Sequence, residues 1–181
     1  MGVDAVRYRF DSFQSLTRRR ISMSKAGRVL KWVFLIVLVL LVAAQFVRPA
    51  RTNPPAEPSL SIENQAQVSP AVNAIFERSC NDCHSNKTRW PWYTNVAPVS
   101  WFVISHVNEA RTDMNLSEWG KMDRNRQRHR LEDMCEMVQS GEMPLSSYTP
   151  LHPGSKLTQA DIKVICDWTA SERQRLAAAP Q

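Results

Sequence analysis

The residues best suited to chemistry in this 181-residue chain are Cys80, Cys83 and His84, which form a Cys-x-x-Cys-His sequence. This spacing is typical of covalent haem attachment. Two thiols one helical turn apart can reach the two vinyl groups of a porphyrin, and the next histidine then lies under the iron as its proximal ligand. The motif therefore predicts one haem c, attached through Cys80 and Cys83.

Three other chemistries also use closely spaced cysteines. A redox-active dithiol is expected in a βαβ setting, whereas the patterns in this chain are helical. A zinc site needs a second ligand pair at similar spacing, and the remaining cysteines, Cys135 and Cys166, lie 31 residues apart. A disulfide between Cys80 and Cys83 would be strained. Haem attachment is the interpretation that the sequence favours.

The charge of the chain is concentrated at its N-terminal end. Residues 1–31 contain eight Lys or Arg and two Asp, whereas the other 150 residues contain 15 basic and 15 acidic side chains. The net charge of +6 therefore lies outside the main domain. This distribution gives no support to a nucleic-acid-binding surface.

An apolar segment follows the basic residues. The run 33–44 is unbroken, and residues 29–47 approach the roughly 20 residues that a membrane span needs. The basic segment 1–28 is expected in the cytoplasm, so the rest of the chain lies on the far side of the membrane. The sequence thus predicts a single-pass protein of a bacterial inner membrane with its main domain in the periplasm. A signal peptide cleaved after Ala44 is the alternative. Met23 resembles an ordinary start, and residues 1–22 are assigned no fold.

The rest of the chain divides into a linker and one domain. Prolines at 49, 54, 55 and 58 stiffen residues 48–59 and exclude a helix there. Residues 60–178 are predicted to form a small all-α domain around the haem. A haem would supply much of the buried apolar surface that so small a domain lacks.

Four helices are predicted in this domain. The first is capped by Ser69, begins at Pro70 and runs into Cys80. The second begins at Pro98. The third is expected to be capped by Ser117 and to end at Gly141. A Pro-rich loop over 143–153 then leads to the last helix, which Thr158 and Asp161 begin as a capping box.

Several segments together carry a family resemblance. They are Arg51–Pro55, Cys80–His84, Ser85–Tyr93, Ala97–Trp101 and Gly141–Pro144. They resemble the bacterial haem-binding domain family that is related to c-type cytochromes, over about residues 48–172. The Asn-Lys-Thr-Arg-Trp-Pro-Trp-Tyr segment is much more particular than the haem motif. The resemblance implies a cytochrome c-like helical domain, and it implies no established enzymatic activity or substrate.

The resemblance also suggests a second axial ligand to the iron. Met143 lies 59 residues after His84 and precedes Pro144, as in small cytochromes c that it resembles. A thioether ligand raises the reduction potential relative to bis-histidine ligation. His106 is the alternative distal ligand. The other methionines, and His129 and His152, are better explained by core packing, a solvated helix face or a local backbone bond.

Four side chains after the motif could contact the haem. Arg89 could bind a haem propionate, and Trp90, Trp92 and Tyr93 could donate to one or only wall the haem edge. Cys135 and Cys166 lie on predicted helices. Outside the cytoplasm they could form a disulfide, or they could remain as buried thiols.

These observations favour an electron-transfer haem protein over an enzyme. Such a protein exchanges electrons with a redox partner protein. The alternative is a haem-based sensor or a peroxidase-like protein with a displaceable distal ligand, although no distal acid–base pair is evident. A third possibility is a haem-anchored module that docks to a larger complex.

Overall fold

A computed structural model describes residues 24–178, which are all-α as predicted and contain no strand within that range. The chain divides into two compact units, the first ending at Phe46 and the second beginning at Val47.

The described part of the first unit, residues 24–46, contains one long apolar helix, α1 (Lys25–Ala44). The Ser24 hydroxyl caps it by accepting a hydrogen bond from the Gly27 N–H at 3.1 Å. Its 20 residues extend about 30 Å at 1.5 Å per residue, the thickness of a bilayer's hydrocarbon core. None of its side chains is buried in protein. By length and composition the helix is compatible with a membrane anchor.

Within residues 47–178, the second unit contains six helices and several tight turns. The helices are α2 (Ile62–Gln65), α3 (Pro70–Ile75), α4 (Asn81–His84), α5 (Val99–Asp113), α6 (Arg124–Ser140) and α7 (Gln159–Ala178). Four 3₁₀ turns cover Pro58–Leu60, Trp92–Asn95, Leu116–Lys121 and Thr149–Leu151. A π-helical turn, Phe76–Cys80, joins α3 to α4 and delivers the chain to the Cys-x-x-Cys-His motif.

The predicted helix ends are largely confirmed. The Ser69 hydroxyl accepts from the Val72 N–H at 3.3 Å, directly before Pro70. Gly141 ends α6 with a φ of 78°, a left-handed conformation that favours glycine. Thr158 and Asp161 form the expected reciprocal cap, with hydrogen bonds of 2.9 and 3.2 Å.

The predicted start of the third helix was wrong. The Ser117 hydroxyl accepts from the Asn86 N–H at 3.0 Å and caps no helix. Ser117 lies in the 3₁₀ turn that places Trp119 in the core, where its side chain is 1% exposed. The long helix α6 instead begins after Asp123, whose carboxylate accepts from the Arg126 N–H at 2.9 Å.

The hydrophobic core lies between α3, α6 and α7. Its buried members are Ile62, Val72, Ile75, Phe76, Leu116, Trp119, Leu131, Met134, Val138, Ile165, Trp168 and Leu176. Phe76 meets Trp168 edge to face at 5.4 Å, and the Trp168 indole N–H donates to the Gln67 carbonyl at 2.9 Å. Burial of each large apolar side chain contributes about 1.5–3 kcal/mol.

A disulfide joins α6 to α7 through Cys135 and Cys166, whose Cα atoms are 4.9 Å apart. Of the two states that the sequence left open, the structure contains the bonded one.

The Pro-rich segment 48–59 packs against the domain that follows it. The Asn53 amide donates to the Thr88 carbonyl at 2.9 Å, and the Arg111 guanidinium donates to the Thr52 carbonyl at 2.8 Å. The segment therefore lies against the loop that leaves the Cys-x-x-Cys-His motif.

Candidate functional site

His84 ends α4 with its ring largely buried and its orientation fixed. Its Nδ1 lies 3.0 Å from the Met114 carbonyl oxygen, so Nδ1 carries the proton that this acceptor requires. Burial lowers the pKa of His84, which keeps the imidazole neutral at pH 7. The other nitrogen, Nε2, is therefore the one with a lone pair. This is the arrangement in which a histidine binds a metal while a second hydrogen bond holds its ring.

Cys80 and Cys83 are thiols rather than a disulfide. Burial raises the pKa of Cys80 to about 12. Burial, followed by the charge of Asp82, raises that of Cys83 to about 11. Both side chains are therefore protonated at neutral pH. A reactive dithiol or a zinc ligand would instead need an environment that favours the thiolate.

Two adjoining cavities flank His84. The larger, of about 320 Å³, is bordered by Cys80, His84 and Met143. The second, of about 240 Å³, is bordered by Cys83, His84, Met143 and His106. Much of the wall of the larger cavity is apolar, from Met114, Leu116, Met134, Met137, Val138, Pro144 and Leu157.

These residues fit a haem. Each thiol borders a different cavity, and the neutral His84 borders both. An apolar cleft with few polar groups is the surrounding that a flat, mostly apolar cofactor needs. The donor set also fits, because a neutral imidazole is a ligand that iron accepts.

Met143 borders both cavities that His84 borders. It lies just past the end of α6, where its main-chain N–H donates to the Met137 carbonyl at 3.1 Å. Its side chain is partly buried against the hydrophobic core. The structure thus brings the predicted distal ligand to the same cleft as His84, and ligation itself stays a prediction.

His106, the alternative distal ligand, lies on α5 and borders only the smaller of these two cavities. Its Nδ1 is 2.9 Å from the Phe102 carbonyl oxygen, so Nδ1 carries the proton of that hydrogen bond. The ring also packs against Phe102 at 4.1 Å. His106 is correctly placed for a polar role in the cleft, but it shares less of the cleft with His84 than Met143 does.

The residues after the motif surround a third cavity, of about 150 Å³, which Cys83 also borders. Arg89, Trp90 and Tyr93 line it. The Arg89 guanidinium is engaged with the Asp82 carboxylate through bonds of 3.1 and 3.2 Å, and these bonds raise the pKa of Arg89. Trp92 is 78% exposed and meets Tyr93 edge to face. Haem contacts by these four side chains stay predictions.

A hydrogen-bonded network beside this cavity was not predicted. The Tyr148 hydroxyl donates to the Asp82 carboxylate at 2.8 Å, and its ring stacks on His152 at 3.7 Å. The Tyr93 hydroxyl lies 3.1 Å from Nε2 of His152. Burial and then Asp82 raise the pKa of Tyr148, so the phenol stays protonated. Of the residues in this network, only Asp82 lies in a recognisable sequence motif, the Cys-x-x-Cys-His sequence.

Arg111 is the second feature that sequence reasoning missed. Its guanidinium donates to the Ser85 carbonyl at 2.8 Å and to the Thr88 hydroxyl at 2.7 Å. It also donates to Asn53 at 2.8 Å. One side chain therefore ties the loop after the motif to the Pro-rich segment.

Comparison with known proteins gives one match. A family model described as a haem-binding domain matches residues 39–171, well over half of the chain. No curated protein and no solved structure matches the chain.

Proposed function

The chain belongs to the haem-binding domain family, and from that premise we propose that it is a c-type cytochrome that binds one haem covalently through Cys80 and Cys83. The observation that carries the proposal is the setting of His84. Its Nδ1 is committed to the Met114 carbonyl, its pKa is lowered, and two cavities flank it, each bordered by one of the two thiols.

The residues of the cleft have distinct roles in this proposal. Cys80 and Cys83 form thioether bonds and keep the cofactor in a small domain. His84 is the proximal ligand, and the Met114 carbonyl holds its ring in place. Met143 is the distal ligand. A bound haem supplies an iron that exchanges single electrons with a partner, and two protein ligands hold it low-spin.

The proposed location is the periplasmic face of a bacterial inner membrane, with α1 as the anchor. The eight Lys or Arg of residues 1–31 favour a cytoplasmic N-terminus. The Cys135–Cys166 disulfide supports an oxidising compartment for the domain. A phosphatase fused after Gln181 should be active, whereas one fused at Lys25 should be inactive. The reverse pattern would contradict this topology.

The distal ligand decides between electron transfer and the alternative of a sensor or peroxidase-like protein, which His106 favours by its place in the cleft. Met143→Ala should convert the low-spin ferric spectrum to a high-spin one and lower the reduction potential. Met143→His should restore the low-spin spectrum at a lower potential than that of the native chain. His106→Ala, the matched control, should leave the spectrum unchanged. A native ferric protein that is already high-spin would contradict electron transfer and favour the alternative.

A further inference from the structure

A continuous stretch of the haem domain has no charged side chain. Residues 90–108 contain no Asp, Glu, Lys or Arg. They form the 3₁₀ turn Trp92–Asn95 and the first ten residues of α5. In a water-soluble domain a surface stretch of this length normally carries charge, because about a quarter of residues are charged.

Five apolar side chains of this stretch are exposed, and we call them the apolar face. They are Trp92, Val96, Val99, Trp101 and Phe102. Trp92 is the most exposed at 78%, and Phe102 follows at 53%. Val99 and Phe102 are three residues apart on α5, so they lie on one side of that helix, beside the third cavity, which both of them border. Exposed apolar side chains this close together in the chain indicate an interaction surface.

Two hydrogen bonds hold this face next to the segment that follows α1. The Trp101 indole N–H donates to the Val47 carbonyl at 2.7 Å. The Arg51 guanidinium donates to the Thr94 hydroxyl at 3.4 Å. Val47 is only three residues after Ala44, the last residue of α1. Three residues of extended chain reach at most about 11 Å.

Because this distance is short, the membrane that contains α1 is the surface closest to the apolar face. The headgroup layer on each side of a bilayer is roughly 5–8 Å thick. If α1 spans the membrane, Val47 lies in or next to the headgroup layer. Trp101 is hydrogen-bonded to Val47 and therefore lies at a similar depth. Tryptophan is enriched at this depth because its ring is apolar and its N–H is polar. A soluble partner protein would have to compete for the apolar face with the lipid, which the anchor holds close to it.

We propose that the haem domain docks on the phospholipid headgroup layer through the apolar face, a proposal that rests on the anchor assigned to α1. Docking orients the domain at the membrane surface and leaves its other sides open to a redox partner. Because the anchor holds the face at high local concentration, weak interfacial binding is enough to keep it docked.

Photocrosslinking to lipid tests this docking in the full haem-loaded chain. The photoreactive residue p-benzoylphenylalanine is placed at Phe102, and in a second variant at Trp92 in case the first fails to fold. The protein is reconstituted in nanodiscs of phosphatidylethanolamine and phosphatidylglycerol. Illumination should yield a phospholipid adduct that intact-mass spectrometry detects. Haem absorbance identical to that of the native chain identifies the folded variants.

Two further positions separate docking from anchoring. Phe34 in α1 should form the adduct if the helix spans the bilayer, and the exposed Gln139 on α6 should form at least fivefold less than Phe102. An adduct at Phe34 without one at Phe102 or Trp92 would overturn docking and leave the anchor intact. No adduct at Phe34 would overturn the anchor and docking with it. A crosslink between two protein copies at Phe102, or equal adducts at Gln139, would also overturn docking.

Discussion

The haem domain contains two regions that differ in how completely the protein fills them. In the first, which we call the stapled core, α3, α6 and α7 pack around Phe76 and Trp168 and are joined by the Cys135–Cys166 disulfide. In the second, which we call the cleft, residues 79–93, residues 143–157 and parts of α5 and α6 border open cavities of about 320, 240 and 150 Å³. The two regions meet at Met134 and Val138 of α6, which belong to the core and also border the 320 Å³ cavity. The core is filled by the chain's own side chains, whereas the cleft keeps space beside His84 in which a haem fits.

The largest expected effect on stability comes from removing the Cys135–Cys166 disulfide. Cys135→Ser together with Cys166→Ser opens a loop of 31 residues, which should lower the free energy of unfolding by about 3–4 kcal/mol. Urea denaturation checks this value. The visible spectrum of the haem should change little, since neither cysteine borders the described cavities. A large change in the haem spectrum with no change in the free energy of unfolding would contradict the assignment of the disulfide to the core rather than to the cleft.

Hydrogen exchange compares the two regions directly. In a Cys80→Ser and Cys83→Ser chain, amides of the cleft should exchange roughly 100-fold faster than in the haem-loaded protein, because local opening there is no longer opposed by the cofactor. Amides of α7, which borders none of these three cavities, should change far less. Equal changes in both regions would show that the haem supports the whole domain and that the core does not stand alone.

The helices of the stapled core could largely be predicted from the local sequence, whereas the contacts that form the cleft could not. Ser69 with Pro70, Gly141, and Thr158 with Asp161 each signal a helix end within a few residues, and the structure has those ends. Ser117 misled because its hydroxyl is used by Asn86, a partner 31 residues away. Hydrogen bonds of that kind are invisible in a short window of sequence.

The candidate site shows the same division. Cys80, Cys83 and His84 are a local motif and were found from spacing alone, but the Asp82–Tyr148 bond spans 66 residues and has no sequence pattern. Arg111 likewise has no sequence pattern that distinguishes it from the other charged residues of α5. Its four acceptors come from two other segments, so its role depends on the tertiary fold.

Tyr148→Phe tests the network on the wall of the cleft. The change removes the 2.8 Å bond to Asp82, whose carboxylate keeps its bonds to Arg89, so the free energy of unfolding should fall by about 1.5 kcal/mol. Tyr93→Phe, which removes a bond to His152 rather than to a carboxylate, is the matched control and should cost less. Thermal unfolding of the haem-loaded variants measures both. A greater loss for Tyr93→Phe would reverse the assigned order.

The smallest expected effect concerns the ion pair between Arg78 and Asp161, at 2.7 Å. Burial acts to raise the pKa of Asp161, but bonds from Arg78 and Thr158 outweigh it and lower that pKa from 3.8 to about 2. A lowered folded-state pKa contributes stability above pH 3.8 that is lost as the pH falls toward 2.

Asp161→Asn should therefore cost about 1 kcal/mol at pH 7 and close to nothing at pH 2. Chemical denaturation at a series of pH values measures this slope. The exposed Asp167, which pairs with Lys163, supplies the control Asp167→Asn, whose cost at pH 7 should be smaller because solvent screens that pair. An equal cost for both variants at pH 7 would show that the bonds from Arg78 and Thr158 add nothing to the stability that Asp161 contributes.

Haem retention after denaturation tests the central claim most directly. The protein is made in a host with a cytochrome c maturation system and then extracted with acid and acetone. The haem of the native chain and of the Cys135→Ser and Cys166→Ser variant should remain with the polypeptide, whereas the Cys80→Ser and Cys83→Ser variant should lose it. Haem that extracts freely from the native chain would contradict covalent attachment at the Cys-x-x-Cys-His motif.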